Sequence, residues 1–203
     1  MRYKEDHKNT TRRRVVEAAS ARFRKHGIGA VGVAKLMGDA GLTHGGFYSH
    51  FASKEALVAE AIVDAMDATC ECGKSVPESL ADFFRTGDLE AFIRAYLRPD
   101  HRDQPDTGCI AAALVAEISR RPKSTRVAFT KKLSAVLTMI ETALPKPDPA
   151  VAQALFATLM GTLQLARAVA DAALSNQILA SGEAAALALI HTKRKSGRTP
   201  PTT

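Results

Sequence analysis

The residues best equipped for chemistry crowd into one short stretch. Thr43-His44-Gly45-Gly46-Phe47-Tyr48-Ser49-His50 sets two imidazoles, a phenol and two hydroxyls around a pair of glycines. Such side chains donate hydrogen bonds to phosphate oxygens and to base edges, and glycines let a backbone come close to a flat surface. His44 is the residue best placed to reach a base edge, with Thr43, Tyr48 and His50 as phosphate contacts. Lys54 follows and Lys35 precedes, each a candidate backbone contact. Phe47 and Phe51 read as core, wedging this stretch against its neighbours.

Other reactive groups form no catalytic pattern. There is no phosphate-binding glycine loop, no His-Glu-x-x-His pair and no nucleophile elbow. Four of the six histidines fall in the first fifty residues. Cys70-x-Cys72 lacks the two-residue gap and second ligand pair of a structural zinc site, so neither metal nor cofactor is expected and an enzyme is not the favoured reading. Cys109, directly after Gly108, is open to two readings: a buried small hydrophobe, or a thiol that senses oxidants or electrophiles.

Charge supports the first stretch. The net charge is +7, and residues 1–60 hold 11 Lys/Arg against 6 Asp/Glu. Residues 61–190 hold 13 against 15, and the last thirteen residues carry 4 bases and no acid. A basic N-terminal segment on a mildly acidic body fits a polyanion-binding head. Arg2, Lys4 and Lys8, with Arg12, Arg13 and Arg14 after them, either add counterion-release affinity or solvate the outer face of a helix. No run approaches the 18–20 apolar residues of a membrane span, and the N-terminus has no apolar leader core. Three cysteines make no disulfide framework. A cytoplasmic protein is expected.

The elements that must hold these groups read as helices. Val15, Val16, Ala19 and Phe23 recur at helical spacing, predicting a helix from about Thr10 to His26 with Gly27 as its stop. A second, short helix around Val33, Leu36 and Met37 ends near Ala40–Gly41. A third opens at Thr43 and runs to about His50. Ser53 caps a fourth, with Leu57, Val58, Ala61, Ile62 and Ala65 on one face, reaching about Gly73. Beyond it come a short helix between Pro77 and Gly87, one from Leu89 to Pro99, and a charged, turn-rich segment Asp100–Thr107. Helices over Cys109–Arg121 and Lys123–Leu144 follow. A Pro-punctuated break precedes a long helix with Val151, Leu155, Leu159 and Leu163 on its stripe, and the last helix runs from about Ser175 to Ile190. The closing residues 192–203 read as a disordered basic tail. The chain is predicted to be all-α.

The tight turn Ala40-Gly41-Leu42 between two short helices is helix-turn-helix geometry, spanning about residues 32–51. The whole run RRRVVEAASARFRKHGIGAVGVAKLMGDAGLTHGGFYSHFASKEALVAEAI closely resembles the DNA-binding domain of the TetR family of repressors. The likeness rests on the A-A-x-x-x-F of the first helix, Gly27, the AGLT turn, the G-x-F-Y-x-H-F block and the S-K-E-x-L opening of the fourth. The text GTLQLARAVADAALSNQIL is similar to the last two helices of some members. Gly32 departs from the pattern, standing where the family usually has a capping Ser or Thr.

The resemblance implies a three-helix head over residues 9–69, joined by its fourth helix to a ligand-binding and dimerisation domain over 70–191. It implies a dimer through helices at about 148–171 and 175–191, a palindromic DNA operator as partner, and release by a small-molecule inducer, hence a repressor. A pocket among Phe84, Phe92, Tyr96, Cys109, Glu117, Phe129, Met139 and Arg167 is the expected effector site, though each aromatic singly reads first as core. An activator, or an architectural protein binding DNA without sequence choice, is the alternative.

Overall fold

The computed structural model describes residues 2–71 and 86–191. Among the described residues there are nine α-helices, one 3₁₀ helix and no strand. Helix α1 (Arg2–His26) is followed by α2 (Val33–Asp39), the 3₁₀ helix His44–Ser49 and α3 (Lys54–Glu71). Then come α4 (Leu89–Tyr96), α5 (Pro99–Asp103), α6 (Ile110–Ile118) and α7 (Lys123–Ala143). The hairpin of α8 (Pro149–Ala168) and α9 (Ala172–His191) closes the fold. Against the all-α expectation the molecule agrees.

Each N-terminal helix ends where its chemistry dictates. Gly27, at φ +80°, stops α1 while its N–H still bonds the Phe23 carbonyl at 2.8 Å. Helix α2 ends in a Schellman turn. Gly41 takes φ +71°, its N–H meets Gly38 O at 3.0 Å, and the Leu42 N–H meets Met37 O at 2.8 Å. A side chain at Gly41 would be strained in that left-handed conformation, which is why the turn needs glycine. Ser53 Oγ accepts from the Ala56 N–H at 3.1 Å, giving α3 the cap its sequence promised.

Four expectations need correction. Helix α1 begins at Arg2 rather than Thr10, because no Gly or Pro interrupts residues 2–9. The segment expected to be turn-rich holds α5, opened by Pro99 in the first turn, where proline's missing N–H costs nothing. Helix α9 starts at Ala172, not Ser175, since the Asp171 carboxylate accepts from the Leu174 N–H at 2.9 Å. Finally, α8 and α9 are each long and apolar enough, by length and composition alone, to cross a bilayer, contrary to the reading of the sequence. Both nevertheless make polar bonds to the body: Gln164 donates to Ala112 O at 3.0 Å, and Glu183 pairs with Arg94 at 2.8 Å. Residues 77–85 of the expected helix at Pro77–Gly87, with Cys72, Phe84 and the basic tail, lie outside the described residues.

The packing order follows the chain. Helix α1 lies on α3, α3 on α7, α7 on α8 and α8 on α9, while α6 bridges α1 and α8. One continuous apolar core results, from Val15, Phe23, Leu36 and Phe47 through Leu57 and Ile62 to Ile118, Ile140 and Leu159. The α8–α9 hairpin is tightest at Gly182, where any Cβ would collide with the Thr162 side chain.

Candidate nucleic-acid interface

The stretch His44–Ser49 forms a 3₁₀ helix instead of the expected α-helix. Two adjacent glycines weaken α-helical preference, and a single tight turn satisfies the short segment more readily. Phe47 and Phe51 are buried, their rings stacked with centroids 5.4 Å apart, and they anchor the helix from beneath. Tyr48 stands out instead. Its ring is 67% exposed, edge-on to Phe47 at 5.3 Å and to His44 at 6.5 Å.

Thr43, His44, Gly45 and Tyr48 are all exposed and share the outer side, while Gly46 and His50 are half-buried. With three residues per turn, Gly45 and Tyr48 fall on the same face, one turn apart. Thr43 stands at the N-cap, but its side chain makes no capping bond. A Cβ added at Gly45 would meet nothing within 4 Å, and its φ is not positive. The fold therefore does not require glycine there. At Gly46 a Cβ would be in ordinary contact with Met37 and Thr43, both 3.7 Å away.

The arginine run resolves into roles that its sequence left open. Arg12 reaches across the head: Nε donates to Glu60 at 2.9 Å, one terminal nitrogen bonds the second Glu60 oxygen, and the other bonds the His50 carbonyl. Its guanidinium also lies 4.4 Å from the Phe51 ring centroid. Arg14 donates to the Ala40 carbonyl at 3.1 Å and so closes the end of α2. Arg13 makes only a surface pair with Glu17. Two of the three are thus braces of this turn, not free cations.

The remaining basic candidates divide similarly. Lys35 is exposed, with Asp39 at 3.9 Å, but Asp39 is held more closely by Arg22 at 2.7 Å. Lys54 turns inward, donating to the Ile28 carbonyl at 2.7 Å, and burial followed by the nearby Arg121 pulls its amine below its usual pKa. The His50 ring is held below its ordinary pKa by burial first, then by Lys8 and Arg12, and its Nδ1 is buried without a partner.

In the body, several of the expected pocket residues meet. Phe92 and Tyr96 lie 5.7 Å apart, and the Tyr96 ring packs edge-on against His101 at 4.7 Å. The His101 Nδ1 lies 2.7 Å from the Tyr96 carbonyl, and Nε2 accepts from the Cys109 N–H at 3.0 Å. That pair of bonds fits only the neutral ring protonated on Nδ1, and burial pushes its pKa down to about 4. Arg167 clips the end of α5 through the Arg102 carbonyl at 3.0 Å. Burial first, then the adjoining Cys109 thiol, raises the pKa of the Tyr96 phenol well above its usual value. Phe129 is buried and Met139 half-buried, both on α7.

Glu117 does not join this group. Its carboxylate accepts the backbone N–H groups of Ile28 and Gly29, so the expectation of a pocket residue gives way to one at the boundary with the head. His101 was missed altogether. Nothing in the periodicity marks it, since it sits in a charged segment whose folding back depends on contacts with residues distant in sequence.

A helix-turn-helix head on a helical body is the class this geometry defines. Residues 15–61 match the family model described as bacterial regulatory proteins, tetR family. The whole fold is similar to the reduced form of E. coli NemR, at 22% identity and TM-score 0.71, covering 91% of this chain and 99% of that one. It is also similar to the fatty acid degradation regulator FadR from Bacillus halodurans, at 15% identity and TM-score 0.63, covering 91% and 96%. A transcriptional regulator from Rhodococcus sp. Rha1 gives 19% identity and TM-score 0.66, covering 88% and 95%. No curated sequence relative matches the chain. Residues 15–61 thus carry a tetR-type regulatory head, and the chain as a whole shares the fold of these solved structures.

Proposed function

We propose that this regulator is a repressor that binds a palindromic operator as a dimer and leaves it when a small molecule occupies the body. The observation that carries the DNA reading is the outer face of the 3₁₀ helix. Thr43, His44, a bare Gly45 and Tyr48 are exposed together, while Phe47, Phe51, Arg12 and Arg14 fix that face from behind. In this reading His44 reads a base edge, Tyr48, Thr43 and His50 take phosphates, and the Gly45–Gly46 backbone seats against the groove. Lys35 adds exposed positive charge, and Lys54 contributes at the backbone once it leaves Ile28. The head spans residues 9–69 and the body 70–191, working in the bacterial cytoplasm.

One such turn reads few base pairs, so specific binding calls for two heads about 34–36 Å apart or a multiple of that. Helices α8 and α9 support the dimer: Leu165 is 60% exposed and Leu174 46%, large apolar groups that a second copy would cover. Around Phe92, Tyr96, Cys109 and Arg167, with Phe129 and Met139, we place the effector site. The buried Tyr96 phenol beside the Cys109 thiol supports that choice, as a polar group set in an otherwise apolar interior.

The test is selection of bound duplexes from a random pool at low salt, followed by affinity measurements on selected and scrambled sequences. Enrichment of an inverted repeat supports the reading. Equal affinity for every duplex makes the protein architectural, and no binding at all removes the DNA role.

A further inference from the structure

We infer that Glu117 is a positioning residue that sets the angle of the DNA head against the body, an inference that rests on the DNA-binding reading above. Where α1 stops at Gly27, the next backbone N–H groups have no helical acceptor. Ile28 N–H lies 3.0 and 3.2 Å from the two Glu117 oxygens, and Gly29 N–H donates to one of them at 3.2 Å. A Cβ on Gly27 would come 2.6 Å from the same carboxylate, so the glycine permits the approach as well as the positive φ.

The same Ile28 peptide is gripped from its other end. Lys54, in the first turn of α3, donates to the Ile28 carbonyl at 2.7 Å. A carboxylate from the body and an ammonium from the head thus hold one peptide group between them. Arg121 joins the two sides, 3.7 Å from Glu117 and 3.4 Å from Glu55 of α3, and the buried Thr125 donates to Glu55 at 2.7 Å. The four charges balance, as buried or half-buried ions must if they are to hold a fixed geometry.

Helix α6 connects this clasp to the interior. It is nine residues, about 13 Å long. Its far end follows Cys109, whose N–H bonds His101 beside Tyr96, and Arg24 of α1 donates to the adjacent Gly108 carbonyl at 3.2 Å. A displacement near Tyr96 and His101 is therefore delivered through a rigid rod to the loop that begins at Gly27. Hydrogen bonds tolerate little change in length or angle, so the loop must follow α6 or let go. Either response turns the head, and in a dimer it changes the distance between the two recognition turns.

The experiment uses the full chain and duplexes carrying the selected inverted repeat with its spacer lengthened or shortened one base pair at a time. The wild type is expected to penalise altered spacing by on the order of tenfold, a typical coupling between sites. Glu117→Ala is expected to flatten that penalty while binding an isolated half-site as the wild type does. Glu117→Gln, which keeps an acceptor oxygen, is expected to fall between them. An unchanged spacing profile in both variants overturns the inference. So does a parallel loss on half-site and full site, which would mean that the head itself has been damaged. If Glu117→Ala does not fold, Glu117→Gln with the wild-type spacing profile overturns it equally. A wild type that binds no duplex removes the DNA reading and this inference with it, an outcome distinct from the other two.

Discussion

Gly45→Ala separates folding from recognition at a single methyl group. The added Cβ extends about 1.5 Å from the backbone into space where no atom lies within 4 Å, and the residue's φ suits alanine. Removing a glycine at such a site narrows the unfolded ensemble and stabilises by about 0.4–1 kcal/mol. For a chain of this size that raises the melting temperature by about 1–4 °C. The same methyl stands on the exposed face beside Tyr48, where it would hold the backbone off a docked phosphate or base. Hydrogen bonds of about 2.9 Å do not survive an added spacer of that size, so affinity should drop by about tenfold or more. Thermal melting followed by helical circular dichroism gives the first quantity, and fluorescence anisotropy on the selected duplex gives the second. A protein that melts lower shows that the fold itself needs glycine at 45. One that melts higher and binds equally well shows that this face does not meet DNA. Either result refutes the reasoning, because it requires opposite signs in the two assays.

Other perturbations test neighbouring parts of the argument. His101 titrates near 4 when folded and near 6.5 when free, so the unfolded chain binds the extra proton between those values. Stability should therefore be full above pH 6.5 and fall by about 3 kcal/mol as the pH drops to 4. His101→Gln should flatten that limb in denaturant titrations, and an unchanged limb would place the acid sensitivity elsewhere. Arg12→Met removes the clasp on Glu60, His50 and Phe51. With both ions about a third exposed, the loss should be only about 1–2 kcal/mol. DNA affinity should fall by more than this stability loss implies, and wild-type affinity in a folded Arg12→Met protein would show that the brace is dispensable. Leu165→Glu should leave the monomer folded and shift sedimentation toward the monomer, whereas an unaltered dimer would exclude that face from the interface.

Much of the head could be read from local patterns because its determinants are local. The Val15, Val16, Ala19 and Phe23 stripe is buried as expected, Ser53 caps α3, and Gly41 makes the turn. Phe47 and Phe51 fall in the core as their wholly apolar rings led one to expect, while Tyr48 between them stays exposed. The form of the recognition helix was less legible, since residue spacing over six positions hardly distinguishes 3₁₀ from α. Long-range polar bonds escaped altogether. Arg12 meets partners 38 and 48 residues away, and Glu117 meets backbone groups 88 and 89 residues away. Backbone N–H groups carry no residue signature, so a carboxylate aimed at them resembles any solvated glutamate. His101 illustrates the same limit, because its neutrality arises from an enclosure assembled by α4, α5 and the start of α6.

The division of labour around the 3₁₀ helix has an evolutionary consequence. Phe47, Phe51 and Arg12 supply the mechanical support, whereas Thr43, His44, Gly45 and Tyr48 support nothing beneath them. On the proposed DNA reading, mutations at the four outward sites can be sampled without retuning the scaffold, so new operator preferences can be explored in single steps. A lineage of such regulators could diversify in what it recognises while keeping one unaltered chassis.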